Sequence, residues 1–171
     1  MNNNIRLILR AKQILKDATP MPFDCGQLCG GLCCKGSASD GMLLFPDEEY
    51  LYINNSDFSI ISTADGNIKL LTCKGYCDRD TRPLSCMLYP VFPQISEADD
   101  RVEIRLIPDI RGSLSCPLIC SDYYISRTFE RAVRRAARCL ITSPEHREFI
   151  DGISEEILEI YELRKMLTKQ R

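Results

Sequence analysis

No long apolar run, no excess of charge of one sign, no internal repeat and no low-complexity tract occurs in this 171-residue chain. The first absence excludes a membrane-spanning helix and a signal-peptide core. The apolar N-terminal pattern "IRLILRAKQIL" is broken by Arg6, Arg10 and Lys12 far short of either. The second absence, a formal net charge of −2, removes any global electrostatic reason to expect nucleic acid or an anionic membrane as the main partner. Tryptophan is missing altogether, and histidine is represented only by His146, read here as a surface residue in the first turn of a helix. A soluble, cytoplasmic chain of one domain is the expectation, with a cysteine-rich core over 20–120 and a helical extension over 121–171.

Cysteine, by contrast, is abundant. Ten in 171 residues lies below the roughly 8–10% that marks a disulfide scaffold. Without an export signal the thiols are expected to stay reduced. Reduced cysteines at short spacings beside glycine point to metal ligation, because thiolates are soft donors suited to zinc or to iron–sulfur iron. Disulfides and inert thiols are the competing readings.

The thiols fall into two loops and a later segment. "CGQLCGGLCC" carries Cys25, Cys29, Cys33 and Cys34 as C-x3-C-x3-C-C, and "CKGYCDRDTRPLSC" carries Cys73, Cys77 and Cys86 as C-x3-C-x8-C. Adjacent cysteines such as Cys33 and Cys34 rarely reach unstrained disulfide geometry with each other. Cys116 in "SLSCPLIC" makes an eighth candidate ligand, enough for two tetrahedral sites or for one four-ligand cluster with one zinc. The two loops are expected to converge. Lys35, Lys74, Arg79 and Arg82 could offset polythiolate charge, although each alone reads as a solvated surface residue. Cys120 is balanced between ligand and passenger. Cys139, beside an apolar helical stripe, reads as a small buried hydrophobe.

The surrounding pattern predicts an α+β fold: a small antiparallel sheet with metal-organised cysteine loops, flanked by an N-terminal helix and a C-terminal helical pair. Asn3 or Asn4 would cap a helix over about 5–17. "GMLLFPDEEYLYI" reads as a short strand, a turn at Pro46 and a helical turn whose positive end explains Asp47, Glu48 and Glu49. Two β-rich runs flank Asp65-Gly66 as a hairpin, and "RVEIRLI" alternates as a half-buried strand. From Ser121 onward the chain reads as helical, with Ser143-Pro144 opening a last helix that ends near Lys169. Arg127, Arg131, Arg134 and Arg138 recur at helical spacing with Arg135 beside them, either as a solvated face or as a docking site for phosphate or an acidic protein partner.

The two cysteine loops together resemble the YkgJ-type cysteine-cluster family of zinc- or iron-chelating proteins. Its pattern is a cysteine run ending in a CC pair, then C…G-x-C…R-P-x-x-C-x-x-Y-P. The matching positions are Cys25, Cys29, Cys33, Cys34, Cys73, Gly75, Cys77, Arg82, Pro83, Cys86, Tyr89 and Pro90, with "SCPL" near the family's later C-P-G element. The resemblance spans about 20–120 and implies a chelating role. The cysteine arrangement is also similar, more distantly, to that of flagellin lysine methylases, which implies an iron–sulfur enzyme of methyl-transfer or redox type as an alternative. No nucleotide-cofactor loop accompanies it here. A regulatory docking module using the arginine helix is the third reading.

Overall fold

The computed structural model describes residues 2–23, 26–34, 41–63, 66, 68–75, 78–98, 101–112, 116–119 and 124–169. The fold is α+β, as the pattern predicts. Helix α1 (Asn3–Leu15) is capped by Asn2, whose side chain accepts the Asn4 N–H at 3.0 Å. Capping by Asn3 or Asn4 is thereby corrected, for a physical reason. Asn4 is buried, donating to Asp47 Oδ2 at 2.8 Å and accepting from Ser143 Oγ at 2.7 Å, so it fastens α1 to two distant segments.

Two antiparallel sheets replace the single one expected. The first has the order β1–β3–β2, from β1 (Met42–Leu43), β2 (Phe58–Ser62) and β3 (Lys69–Cys73). Phe58 lies opposite Cys73 and Ser62 opposite Lys69, the pairing expected of a hairpin, although Asp65 at its turn lies outside the described residues. The second sheet pairs β4 (Val91–Ala98) with β5 (Arg101–Pro108) in register from Val91↔Pro108 to Ala98↔Arg101. Strand β4 was hidden by Pro93. In a two-stranded sheet both strands are edges, so a residue without an N–H is tolerated there.

The main core forms where helices meet the second sheet. Ile8, Ala11 and Leu15 of α1 join Phe129, Val133, Ala136 and Leu140 of α4 (Arg127–Leu140). Ile150, Ile153 and Ile157 of α5 (Pro144–Lys169), together with Val91 and Phe92 of β4, complete the same cluster. Helix α4 begins at Arg127 rather than Ser121, because 124–126 are non-helical and 121–123 lie outside the described residues. A smaller cluster of Leu44, Tyr52, Phe58 and Leu71 underlies the first sheet. Among the described residues, no helix is long and apolar enough to cross a membrane.

His146 is fully buried, which corrects its reading as a surface residue. Its ring stands edge-on to Phe45 with centroids 5.9 Å apart, and its Nε2 faces the Pro46 carbonyl at 3.1 Å. The first turn of α5 is docked onto the 45–48 segment rather than exposed, and burial pushes the imidazole pKa below its ordinary value.

Candidate metal centre

The 45–48 segment also builds the scaffold of the candidate site. Glu48 is fully buried; its Oε1 accepts the Leu84 N–H at 2.7 Å and its Oε2 accepts the Phe45 N–H at 3.1 Å. Leu84 is the first residue of α3 (Leu84–Leu88), and Pro83 before it offers no capping side chain. A carboxylate 36 residues upstream therefore caps this helix, satisfying an orphan donor and meeting the positive helix end. Burial pushes the Glu48 carboxyl up, opposed by these two N–H groups and by Lys12. The Ser85 hydroxyl adds a bond to the Leu43 carbonyl, so α3 is fixed to the first sheet.

Helix α3 delivers Tyr89 and Pro90, joined by a cis peptide bond, to a cavity of about 20 Å³. The cavity is lined by Leu28, Cys29, Cys33, Tyr89, Pro90, Cys116, Pro117 and Leu118. Room for about one water-sized sphere suits a single ion better than an organic molecule. Cys29 ends α2 (Gly26–Cys29), and Cys33 stands on the 3-10 turn Leu32–Cys34. Three thiols from two segments far apart in sequence thus face one small space.

Cys116 is the most enclosed of them, 8% exposed. Burial pushes its thiol pKa up, while the Leu118 and Ile119 N–H groups and the Tyr89 hydroxyl favour the thiolate. Backbone N–H groups aimed at sulfur are the environment a metal-bound thiolate needs, and they do not require glycine at 118. The Tyr89 hydroxyl also donates to Gly112 O at 2.8 Å. A Cβ at position 112 would lie 2.4 Å from that hydroxyl oxygen, so only glycine admits the contact. Burial, followed by the neighbouring Cys116 and Cys33, pushes the Tyr89 pKa up and keeps the phenol protonated.

The two cysteine loops approach at Gly75. Its φ of +86° suits glycine, and a Cβ there would stand 3.2 Å from the Cys34 carbonyl oxygen. Of the eight candidate ligands, Cys29, Cys33 and Cys116 line the cavity. Cys34 touches the second loop through its backbone, Cys73 ends β3 against Phe58, and Cys86 is half-buried in α3; none of these three lines the cavity. Cys25, Cys77 and Cys120 lie outside the described residues. Among the described residues, no three His, Cys, Asp or Glu side chains are grouped so as to hold a metal ion. The donor type fits a soft metal, and the described donors stop short of a tetrahedral shell.

The basic residues assigned to charge compensation have other work. Arg79 donates from Nε to Lys16 O and from a terminal nitrogen to Ala18 O, both at 2.8 Å, closing the chain after α1. Lys74 stands 3.6 Å from Asp57 on the surface, and Lys35 is outside the described residues. Sequence reasoning missed Glu48 and Tyr89 as positioning residues. Tyr89 stood in the quoted motif, but no local signal marks the partners of Glu48.

No family model, curated protein or solved structure matches the chain.

Proposed function

We propose that the protein binds one zinc ion or iron–sulfur centre through cysteine thiolates at the Tyr89 cavity. The observation that carries this reading is the meeting of Cys29, Cys33 and Cys116 around a space of about 20 Å³. Cys25, four positions before Cys29, is the candidate for completing the shell. The resemblance of the cysteine pattern to the YkgJ-type family supports the same chemistry. When bound, the metal would cross-link the 26–34 segment to the 116–119 turn. The Tyr89 hydroxyl and the 118–119 N–H groups orient and stabilise the Cys116 sulfur. So small a cavity favours a structural or metal-handling centre over the iron–sulfur enzyme reading, since catalysis needs room for substrate at an open position.

Anaerobic purification with metal analysis and a visible spectrum tests the proposal, because an iron–sulfur centre absorbs visible light and zinc does not. Cys33→Ser and Cys116→Ser should each release metal, the hydroxyl being a hard and protonated substitute for thiolate. Cys139→Ala, whose sulfur lies 4.0 Å from the Leu7 carbonyl and away from the cavity, should keep its metal content. Full metal retention in both serine variants would overturn the assignment.

A further inference from the structure

On a different face of the molecule, α1 and α4 leave an open groove of about 340 Å³ between them. Its walls carry Arg10 from α1 and Arg135 and Arg138 from α4, with Leu7 and Ile14 as apolar flanks. No carboxylate lines it. Elsewhere arginines are matched with acids: Arg105 with Glu103, Arg111 with Asp109, Arg134 with Glu130 and Arg147 with Glu97. Among the described residues, Arg10, Arg135 and Arg138 form no ion pair. In a chain with 24 acidic side chains, three guanidinium groups left together are an arrangement that an anion would relieve.

From this geometry we infer that the groove binds a small organic phosphate, its phosphate on the three guanidiniums and its apolar group against Leu7 and Ile14. Planar guanidinium forks match phosphate oxygens in pairs, which a point charge does not. The volume is at the lower end of the range for small-molecule pockets, about 300–1,000 Å³. The arginines that matter are therefore not the whole stripe of Arg127, Arg131, Arg134 and Arg138. Arg134 is engaged by Glu130 at 3.3 Å, and of the four only Arg138 lines the groove, joined by Arg135 and by Arg10 from another helix. This inference is independent of the metal centre.

The test is calorimetric titration of the intact protein with phenyl phosphate and with inorganic phosphate. Phenyl phosphate should bind saturably and several-fold more tightly than inorganic phosphate, because only it reaches the apolar flanks. Arg10→Gln and Arg138→Gln should each weaken binding about tenfold, the loss of one charge-assisted hydrogen bond. Arg101→Gln, which removes the same charge from exposed β5, should change nothing. Bound phenyl phosphate should also slow alkylation of Cys139, which lines the groove, as read by peptide mass spectrometry. Three results would each overturn the inference: no saturable binding, equal affinity for inorganic phosphate, or the same loss in Arg101→Gln. An acidic peptide that binds where phenyl phosphate does not would also overturn it, assigning the groove to a protein.

Discussion

Replacing Glu48 should do more damage than replacing any surface carboxylate, and the size of the effect follows from its two bonds. Glu48→Ala leaves the Leu84 and Phe45 N–H groups buried without an acceptor. Each orphaned donor costs about 1–3 kcal/mol, and relief from burying the carboxyl offsets part of the sum, so a net loss of about 3 kcal/mol is expected. For a chain of this length that is a fall of about 6–12 °C in Tm. Glu48→Gln keeps the shape and one acceptor oxygen, so about half the loss should return. Thermal and urea unfolding followed by circular dichroism measures both. A loss in Glu48→Ala below about 0.5 kcal/mol, the level of an ordinary surface substitution, would refute the capping argument.

The same pair of proteins carries a pH test. Burial raises the Glu48 pKa in the folded state above its ordinary value of 4.5. Its linked stability is therefore fully present below about 4.5 and is lost as pH rises through the higher folded value. Glutamine does not titrate, so the stability gap between wild type and Glu48→Gln should narrow from about pH 4.5 toward neutrality. A gap that widens over this range would mean that the N–H groups and Lys12 outweigh desolvation.

Two further predictions concern neighbouring groups. For His146, burial lowers the folded pKa below 6.5, with Asp47 and Glu145 pulling the other way. The stability it contributes is present above about 6.5 and lost as pH falls through the folded value, so His146→Leu should flatten the stability slope between about pH 8 and about pH 5; an unchanged slope would reject this. Gly112→Ala places a methyl group 2.4 Å from the Tyr89 hydroxyl and should destabilise by about 1–3 kcal/mol while shifting the near-ultraviolet tyrosine signal. An unshifted spectrum would show that the hydroxyl is not held there.

What could be read from sequence was whatever has a local cause. Ser143-Pro144 opens α5 at the expected place, and Phe129, Val133, Ala136 and Leu140 form the buried stripe of α4 because helical spacing alone puts them on one face. Contacts between distant segments were not legible. Glu48 sits among acidic residues at a helical turn, a sufficient local explanation, while its decisive partner is Leu84. His146 is buried by a carbonyl 100 residues away. The candidate site divides along the same line. Cysteine spacing nominated Cys29, Cys33 and Cys116, but nothing in the spacing separates them from Cys73 and Cys86, which tertiary packing carries elsewhere. The arginine stripe shows it as well, since Arg10 is contributed by a helix more than 100 residues from α4.

The two walls of the thiol cavity are supported differently, and this makes a prediction about metal removal. Tyr89 is fixed by its bond to Gly112 O and follows Leu88, which is fully buried in the main core. That core draws on α1, α4 and α5 and includes no residue of 26–34. Opposite, Leu28, Leu32 and Cys33 are all exposed, so little apolar burial holds this wall in place. Chelation should therefore release 26–34 while leaving the helices folded, because a metal that joins a weakly packed wall to a well-packed one stabilises chiefly the former. Hydrogen exchange with and without chelator reads this directly: 26–34 and 116–119 should lose protection, whereas 127–140 and 144–157 should keep theirs. Equal loss across all four segments would mean that the metal supports the core itself. Unchanged protection at 26–34, in protein shown to have lost its metal, would mean that this wall stands without it.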